Sequence, residues 1–114
     1  MAWSSSIRLR DYHSSPREPG IYEIGFTRNN IFNPLYVGKA ERTNIYDRLK
    51  SHYTGTGNKN VKEYLLTIQR DNLWCHWMKV SDPGYIEANL LNRFGIGDKG
   101  LYKFNLKREM VNLR

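Results

Sequence analysis

Glu87 is the residue of this 114-residue chain whose position most needs a chemical account. At about 100° per residue it projects between Leu91 and the row Ile86, Leu90 and Phe94, near the middle of an apolar helix face. A carboxylate there is costly unless a cation or hydrogen bonds compensate. One compensation is a divalent metal: Mg²⁺ is often held by one or two protein carboxylates and otherwise by water and phosphate. The other is structural, a Glu at the edge of the core that snorkels outward or pairs with an Arg. Arg48 and His52 stand at i and i+4 on the border of the face made by Ile45, Leu49 and Tyr53. Such a pair suits a phosphate, because Arg is a planar fork of permanently charged donors and His donates or transfers a proton near neutral pH. A solvated helix flank would use the same residues. Tyr22 and Tyr36 fall one on each of two strand-like runs, and Lys39 follows Gly38 directly. A cation beside a phenol stabilises phenolate and makes that tyrosine a usable general base. With eight tyrosines in the chain, packing is the competing account of each.

The elements that must position these residues are read from periodicity. Pro16-Arg17-Glu18-Pro19-Gly20 resists helix and ladder pairing and ends an N-terminal lead, residues 1–19. Alternation over residues 21–26 predicts a strand closing on Thr27-Arg28-Asn29-Asn30, and residues 35–38, after Asn33-Pro34, predict a second. Together they make an antiparallel hairpin with a longish loop. Thr43 or Asn44 caps a helix to about Tyr53, and residues 54–58 hold two glycines and form a loop. Val61, Tyr64, Leu65 and Ile68 predict a helix over 60–70, residues 73–80 a strand, and Asp82-Pro83 the start of a last helix ending at Phe94-Gly95. The order is β-β-α-α-β-α with a basic C-terminal tail, residues 106–114, packed on the same domain. The fold class is α+β, a small sheet covered by helices.

With 18 Lys plus Arg against 11 Asp plus Glu, the formal charge is +7. A field of that sign on so small a surface favours polyanions, with nucleic acid ahead of acidic membranes or acidic proteins. At 39% hydrophobic and 13% aromatic the chain can build a core, which a disordered basic tail cannot. Cys75 is the lone cysteine, which excludes disulfide stapling and zinc sites of the usual Cys/His spacing and fits a reducing, intracellular, cytoplasmic compartment. No window has the length of apolar sequence that spans a bilayer, and the first residues lack the pattern of a signal peptide, so no membrane partner is expected.

Taken in order, Gly20-Ile21-Tyr22, Tyr36-Val37-Gly38-Lys39-Ala40, Arg48-Leu49-Lys50-Ser51-His52-Tyr53, Glu87 and Asn105 resemble the motifs of the GIY-YIG nuclease superfamily. The resemblance covers residues 20–105. It implies a small three-stranded antiparallel sheet flanked by helices and a Mg²⁺-dependent (or Mn²⁺-dependent) endodeoxyribonuclease with one ion per active site. In that reading Glu87 binds the metal, and Tyr22, with Tyr36 close by, activates water while Lys39 tunes whichever phenol acts. Arg48, preferred over Arg42 because Leu49 and His52 continue the pattern, binds the scissile phosphate. His52 assists the phenol or the phosphate, and Asn105 supports the site by hydrogen bonding.

DNA is the expected partner, with Lys59, Lys103, Lys107 and Arg108 as candidate nucleic-acid contacts and Arg114 beside them in the tail. The chain has no room for a separate targeting domain, so specificity is expected from its own loops, a homodimer or a partner chain. Restriction, phage or mobile-element roles are favoured by small size and the Arg48/His52 pair. A structure-selective repair nuclease and a catalytically silent nucleic-acid-binding module of the same fold are the alternatives. A basic protein-interaction domain with a chance motif match is the third.

Overall fold

The computed structural model describes residues 2–56, 72–97 and 99–105. A strand β1 (Ile7–Arg8) leads into a short 3-10 helix (Leu9–Ser14), then β2 (Gly20–Arg28), β3 (Ile31–Ala40), α1 (Ile45–Thr54), β4 (Trp74–Lys79) and α2 (Pro83–Phe94). The strands form one antiparallel sheet in the order β1-β4-β2-β3. Successive side chains of a strand point to opposite faces, and β2 uses both. Tyr22 and Ile24, with Cys75 of β4, join Leu9, Tyr12, Ile45 and Leu49 in the core under α1 and the 3-10 helix. Ile21, with Val37 of β3, joins Leu91 of α2 and Tyr102 in the core on the other side. The sheet thus separates α1 and the 3-10 helix on one face from α2 on the other, and neighbours on β2 serve different cores. Among the described residues no helix is long and apolar enough to cross a membrane.

Both helices begin where side-chain chemistry predicts. Asn44 accepts the Asp47 backbone N–H at 2.8 Å, capping α1. Asp82 accepts from Tyr85 N at 3.4 Å, with Pro83 in the first turn of α2. Gly55 (φ 85°) supplies the left-handed residue that ends α1.

Three expectations change. The sheet has four strands rather than three, because Ile7 and Arg8 pair with Cys75 and Trp74. The segment read as a lead is therefore tied in: Leu9 is fully buried and its N–H donates to Leu73 O at 2.8 Å. A two-residue strand shows no alternation, so periodicity could not announce it. The hairpin loop is short, with Asn29 (φ 53°) and Asn30 (φ 64°) as its two central residues between the paired Arg28 and Ile31. Asn33-Pro34 does not interrupt β3. Pro34 sits on the sheet's outer strand, where a missing N–H costs little, and the register shifts between Ile24 and Gly25 so that Leu35 is the extra residue of a bulge. The helix expected over 60–70 and the tail over 106–114 lie outside the described residues.

Glu23, 5% exposed, is a carboxylate that the strand pattern hides. His76 Nε2 lies 2.7 Å from its Oε1, and the Tyr102 hydroxyl donates to Oε2. Burial and Glu23 together push the Tyr102 phenol well above its ordinary pKa, so it remains a donor. Trp3 stacks on His76 with ring centroids 4.2 Å apart, so this cluster joins both ends of the described chain to β2. Tyr102→Phe should lower unfolding free energy by about 1–3 kcal/mol, the cost of leaving a buried carboxylate oxygen without its donor. Urea titration checks this, and an unchanged midpoint would contradict it.

Candidate active site

Tyr22 reaches the site because its neighbour across the sheet has no side chain. Its partner on β3 is Gly38, and a Cβ there would overlap the phenol ring and oxygen. The Tyr22 hydroxyl lies 2.9 Å from Nε2 of His52, in the last full turn of α1, and both groups are buried. Arg48, one turn earlier, brings its half-buried guanidinium to the same phenol. Tyr36 closes the group, edge-on to Tyr22 at 6.3 Å and 89° and with its ring 5.1 Å from that of His52.

Burial raises the Tyr22 pKa well above the usual phenol value; the neighbouring Tyr36 adds to this and Arg48 opposes it. Burial, aided by Arg48, lowers His52 to about 3, so the imidazole is neutral across the physiological range. The phenol oxygen already faces a guanidinium donor, and its own hydrogen needs an acceptor. A neutral imidazole with its proton on Nδ1 offers Nε2 of His52, 2.9 Å away, as that acceptor. The neighbouring Tyr22 raises the pKa of Arg48 against the opposing effect of burial, so Arg48 remains a cation.

Beside this cluster lies a cleft of about 320 Å³ lined by Lys39, Glu41, Arg42, Thr43, Arg48 and Glu87. Glu87 enters from α2 and is only 4% exposed. It is near enough to Tyr22 and Arg48 to raise the pKa of both. Lys39 Nζ pairs with Glu41 at 3.6 Å, and Gly84 at the start of α2 lets the helix close against them, since a Cβ there would stand 2.9 Å from Glu41 Oε2. Arg48 Nε is buried and makes no hydrogen bond, so a donor is in place for an anion entering the cleft. The donor set suits a hard cation: Glu87, with Glu41 also in the wall, offers oxygen only. Among the described residues no three His, Cys, Asp or Glu side chains gather as a closed zinc cage would require.

The predicted residues therefore fall into two touching groups. Tyr22, Tyr36, Arg48 and His52 form the phenol cluster, Lys39, Arg48 and Glu87 line the cleft, and Arg48 belongs to both. The cation at the Tyr22 phenol is Arg48, whereas Lys39 projects from the position paired with Ile21 and bonds to Glu41. Arg42 is an exposed residue of the cleft rim. Asn105 stands outside the cleft and clamps the sheet's outer edge: its Oδ1 accepts from Val37 N and its Nδ2 donates to Val37 O, each at 3.0 Å. Lys103 lines a different cleft. Lys59, Lys107, Arg108 and Arg114 lie outside the described residues. Sequence reasoning missed Glu41 and Thr43, which sit between β3 and α1 where no periodicity marks them.

An antiparallel sheet carrying paired tyrosines from two adjacent strands, flanked by one helix with Arg and His and another with a buried Glu, is the architecture of a GIY-YIG-like domain. The chain superposes on the GIY-YIG N-terminal endonuclease domain of UvrC from Thermotoga maritima bound to its catalytic divalent cation, magnesium, with a TM-score of 0.55 and 25% identity, covering 86% of this chain and 96% of that one. An asparagine-to-alanine point mutant of that domain, bound to its catalytic divalent cation, matches with a TM-score of 0.53 and 25% identity over 87% of this chain and 96% of that one. No protein-family model and no curated protein sequence matches the chain. The fold is GIY-YIG-like, the resemblance read from the ordered motifs.

The lowered pKa of His52 makes stability depend on pH. Its contribution is fully present above the unfolded-state value of about 6.5 and is lost as pH falls through the folded value of about 3, because only the unfolded chain binds the proton in between. Between pH 6.5 and 4 this group alone should remove about 3 kcal/mol. His52→Gln should flatten the decline, measured by urea unfolding in EDTA at each pH. Parallel declines in the two proteins would contradict the assignment.

Proposed function

We propose that this chain is a divalent-metal-dependent DNA endonuclease that hydrolyses phosphodiester bonds. One observation carries the reading: a buried phenol is held between a neutral imidazole and an arginine, and that arginine also lines a cleft that receives a buried carboxylate. Glu87 would hold one Mg²⁺ or Mn²⁺ ion, with water and substrate phosphate completing its coordination. When bound, the ion supplies Lewis-acid polarisation of the phosphate and charge neutralisation at the leaving oxygen.

Arg48 binds the scissile phosphate through the donor left over from its contact with Tyr22 and takes up charge as the transition state forms. Tyr22 orients the attacking water and accepts its proton while passing its own to Nε2 of His52. A relay is required because burial keeps the resting phenol protonated. The basicity of His52 is held down by burial and then by the Arg48 charge, and a phosphate on Arg48 offsets the second of these. The imidazole thus becomes a better base when substrate arrives. Tyr36 packs the phenol in place, Lys39 keeps the cleft wall positive, and Asn105 positions β3 at Val37. Cys75 takes no part: burial, with Asp11 nearby, pushes its thiol up to about 12, which suits an inert thiol in a cytoplasmic, reducing setting.

Supercoiled plasmid tests the reading. Wild type should nick or linearise it with Mg²⁺ or Mn²⁺ and leave it intact in EDTA. Arg48→Ala should cut about 10²–10³-fold more slowly, the loss typical of removing one transition-state donor. Glu87→Gln should lose metal-dependent cutting while still binding DNA. Binding without cleavage of plasmid or branched DNA in either metal would support the silent nucleic-acid-binding module.

A further inference from the structure

A second cleft, about 900 Å³, lies where β2 and β3 meet their turn. Its wall includes Arg8, Arg28 and Lys103 together with the rings of Phe26, Trp74 and Phe104, and no acidic residue is among its described lining. Two of the cations lie over two of the rings: the Arg8 guanidinium carbon is 5.0 Å from the Trp74 ring centroid, and that of Arg28 is 5.5 Å from Phe26. Each couple sets a guanidinium beside an aromatic ring, and guanidinium planes and aromatic faces both accept a stacked base. Thr27 Oγ1 is buried in the same wall and makes no hydrogen bond, which leaves a polar atom for a ligand. The rim is held by the tight turn, whose Asn29 and Asn30 also line the cleft. The volume suits a nucleotide, within the roughly 300–1,000 Å³ usual for small-molecule sites.

We propose that this cleft is a second nucleotide subsite that takes an unpaired nucleotide of the substrate, its base on the arginine-aromatic couples and its phosphate on Arg8, Arg28 or Lys103. A paired base inside a duplex offers no face to stack on, so the site selects an overhang, a flap or a frayed end. Thr27 stands five residues beyond Tyr22 on β2, about 17 Å along an extended strand. The subsite therefore stands apart from the candidate active site along β2, so the two can engage different parts of one substrate. The identity of the substrate as DNA rests on the nuclease reading; the site itself rests on the cleft.

Binding is measured by fluorescence anisotropy in EDTA with the Glu87→Gln protein, which cannot cut, using a labelled blunt DNA duplex and the same duplex with a short single-stranded overhang. Stacking of one or two bases should favour the overhang about ten-fold. Adding Arg28→Glu or Trp74→Ala should abolish that preference, Trp74→Phe should keep most of it, and blunt-duplex affinity should change much less in the Trp74 variants. Arg28 is exposed at the turn, so Arg28→Glu decides the matter if Trp74→Ala fails to fold. Equal affinity for the two duplexes, or a preference that survives Arg28→Glu, overturns the proposal. Failure of the nuclease reading looks different: wild type cuts nothing with metal, yet the overhang preference persists.

Discussion

The contact between the Tyr22 hydroxyl and Nε2 of His52 sets the terms for the rest of the site. Both groups are buried, and each would be costly there without the other, because an unpaired polar atom removed from water loses its hydration for nothing. For the phenol to donate to Nε2 the imidazole must be neutral, and burial and the adjacent Arg48 favour the neutral ring. The pairing also requires that the ring of Tyr22 lie flat over β3, which only a glycine at position 38 permits. The glycine and tyrosine of the two strand motifs are thus one packing solution: the missing side chain on β3 is the space the phenol of β2 occupies.

The same economy governs how the sheet divides its work. Tyr22 and Ile21 face opposite cores, so one strand anchors α1 on one side and α2 on the other. Arg48 and His52 arrive from α1 and Glu87 from α2, and they meet around Tyr22 beside β3, the edge strand of the described sheet. That edge would be loose without help. Asn105 supplies both hydrogen bonds that Val37 would otherwise seek from a further strand, and Phe104 N–H donates to the Leu35 carbonyl beside it. On the far side, Glu23 binds His76 and Tyr102 and keeps the segment that carries Asn105 in register with β2.

Most of the helical part of this arrangement was legible in the sequence. The helical period put Glu87 on an apolar face and Arg48 and His52 one turn apart, and capping residues marked where α1 and α2 begin. The strands were less legible. A two-residue β1 is too short to alternate, and the bulge at Leu35 breaks the period of β3 just where the sequence pattern, with Pro34 before the strand, has it begin. Glu41 and Thr43 lie in a connection without any period, so only three dimensions reveal them as cleft residues. Glu23 did leave a signal, a carboxylate within a strand of apolar neighbours, but its partners His76 and Tyr102 are distant in sequence. The formal charge of +7 pointed to a polyanion without saying where it would lie. The structure separates two cationic regions, one holding the buried carboxylate and one lined by aromatic rings.

The protonation of His52 tests the central claim most directly. Nitrogen-15 NMR of the imidazole, followed from pH 7 down to 4 in EDTA, reports both the charge and which nitrogen carries the proton. The account predicts a neutral ring throughout that range, protonated at Nδ1, with Nε2 showing the shift of a nitrogen that accepts a hydrogen bond, and a perturbed Nε2 signal in Tyr22→Phe. An imidazolium already formed at pH 6, or a neutral ring carrying its proton on Nε2, would contradict it.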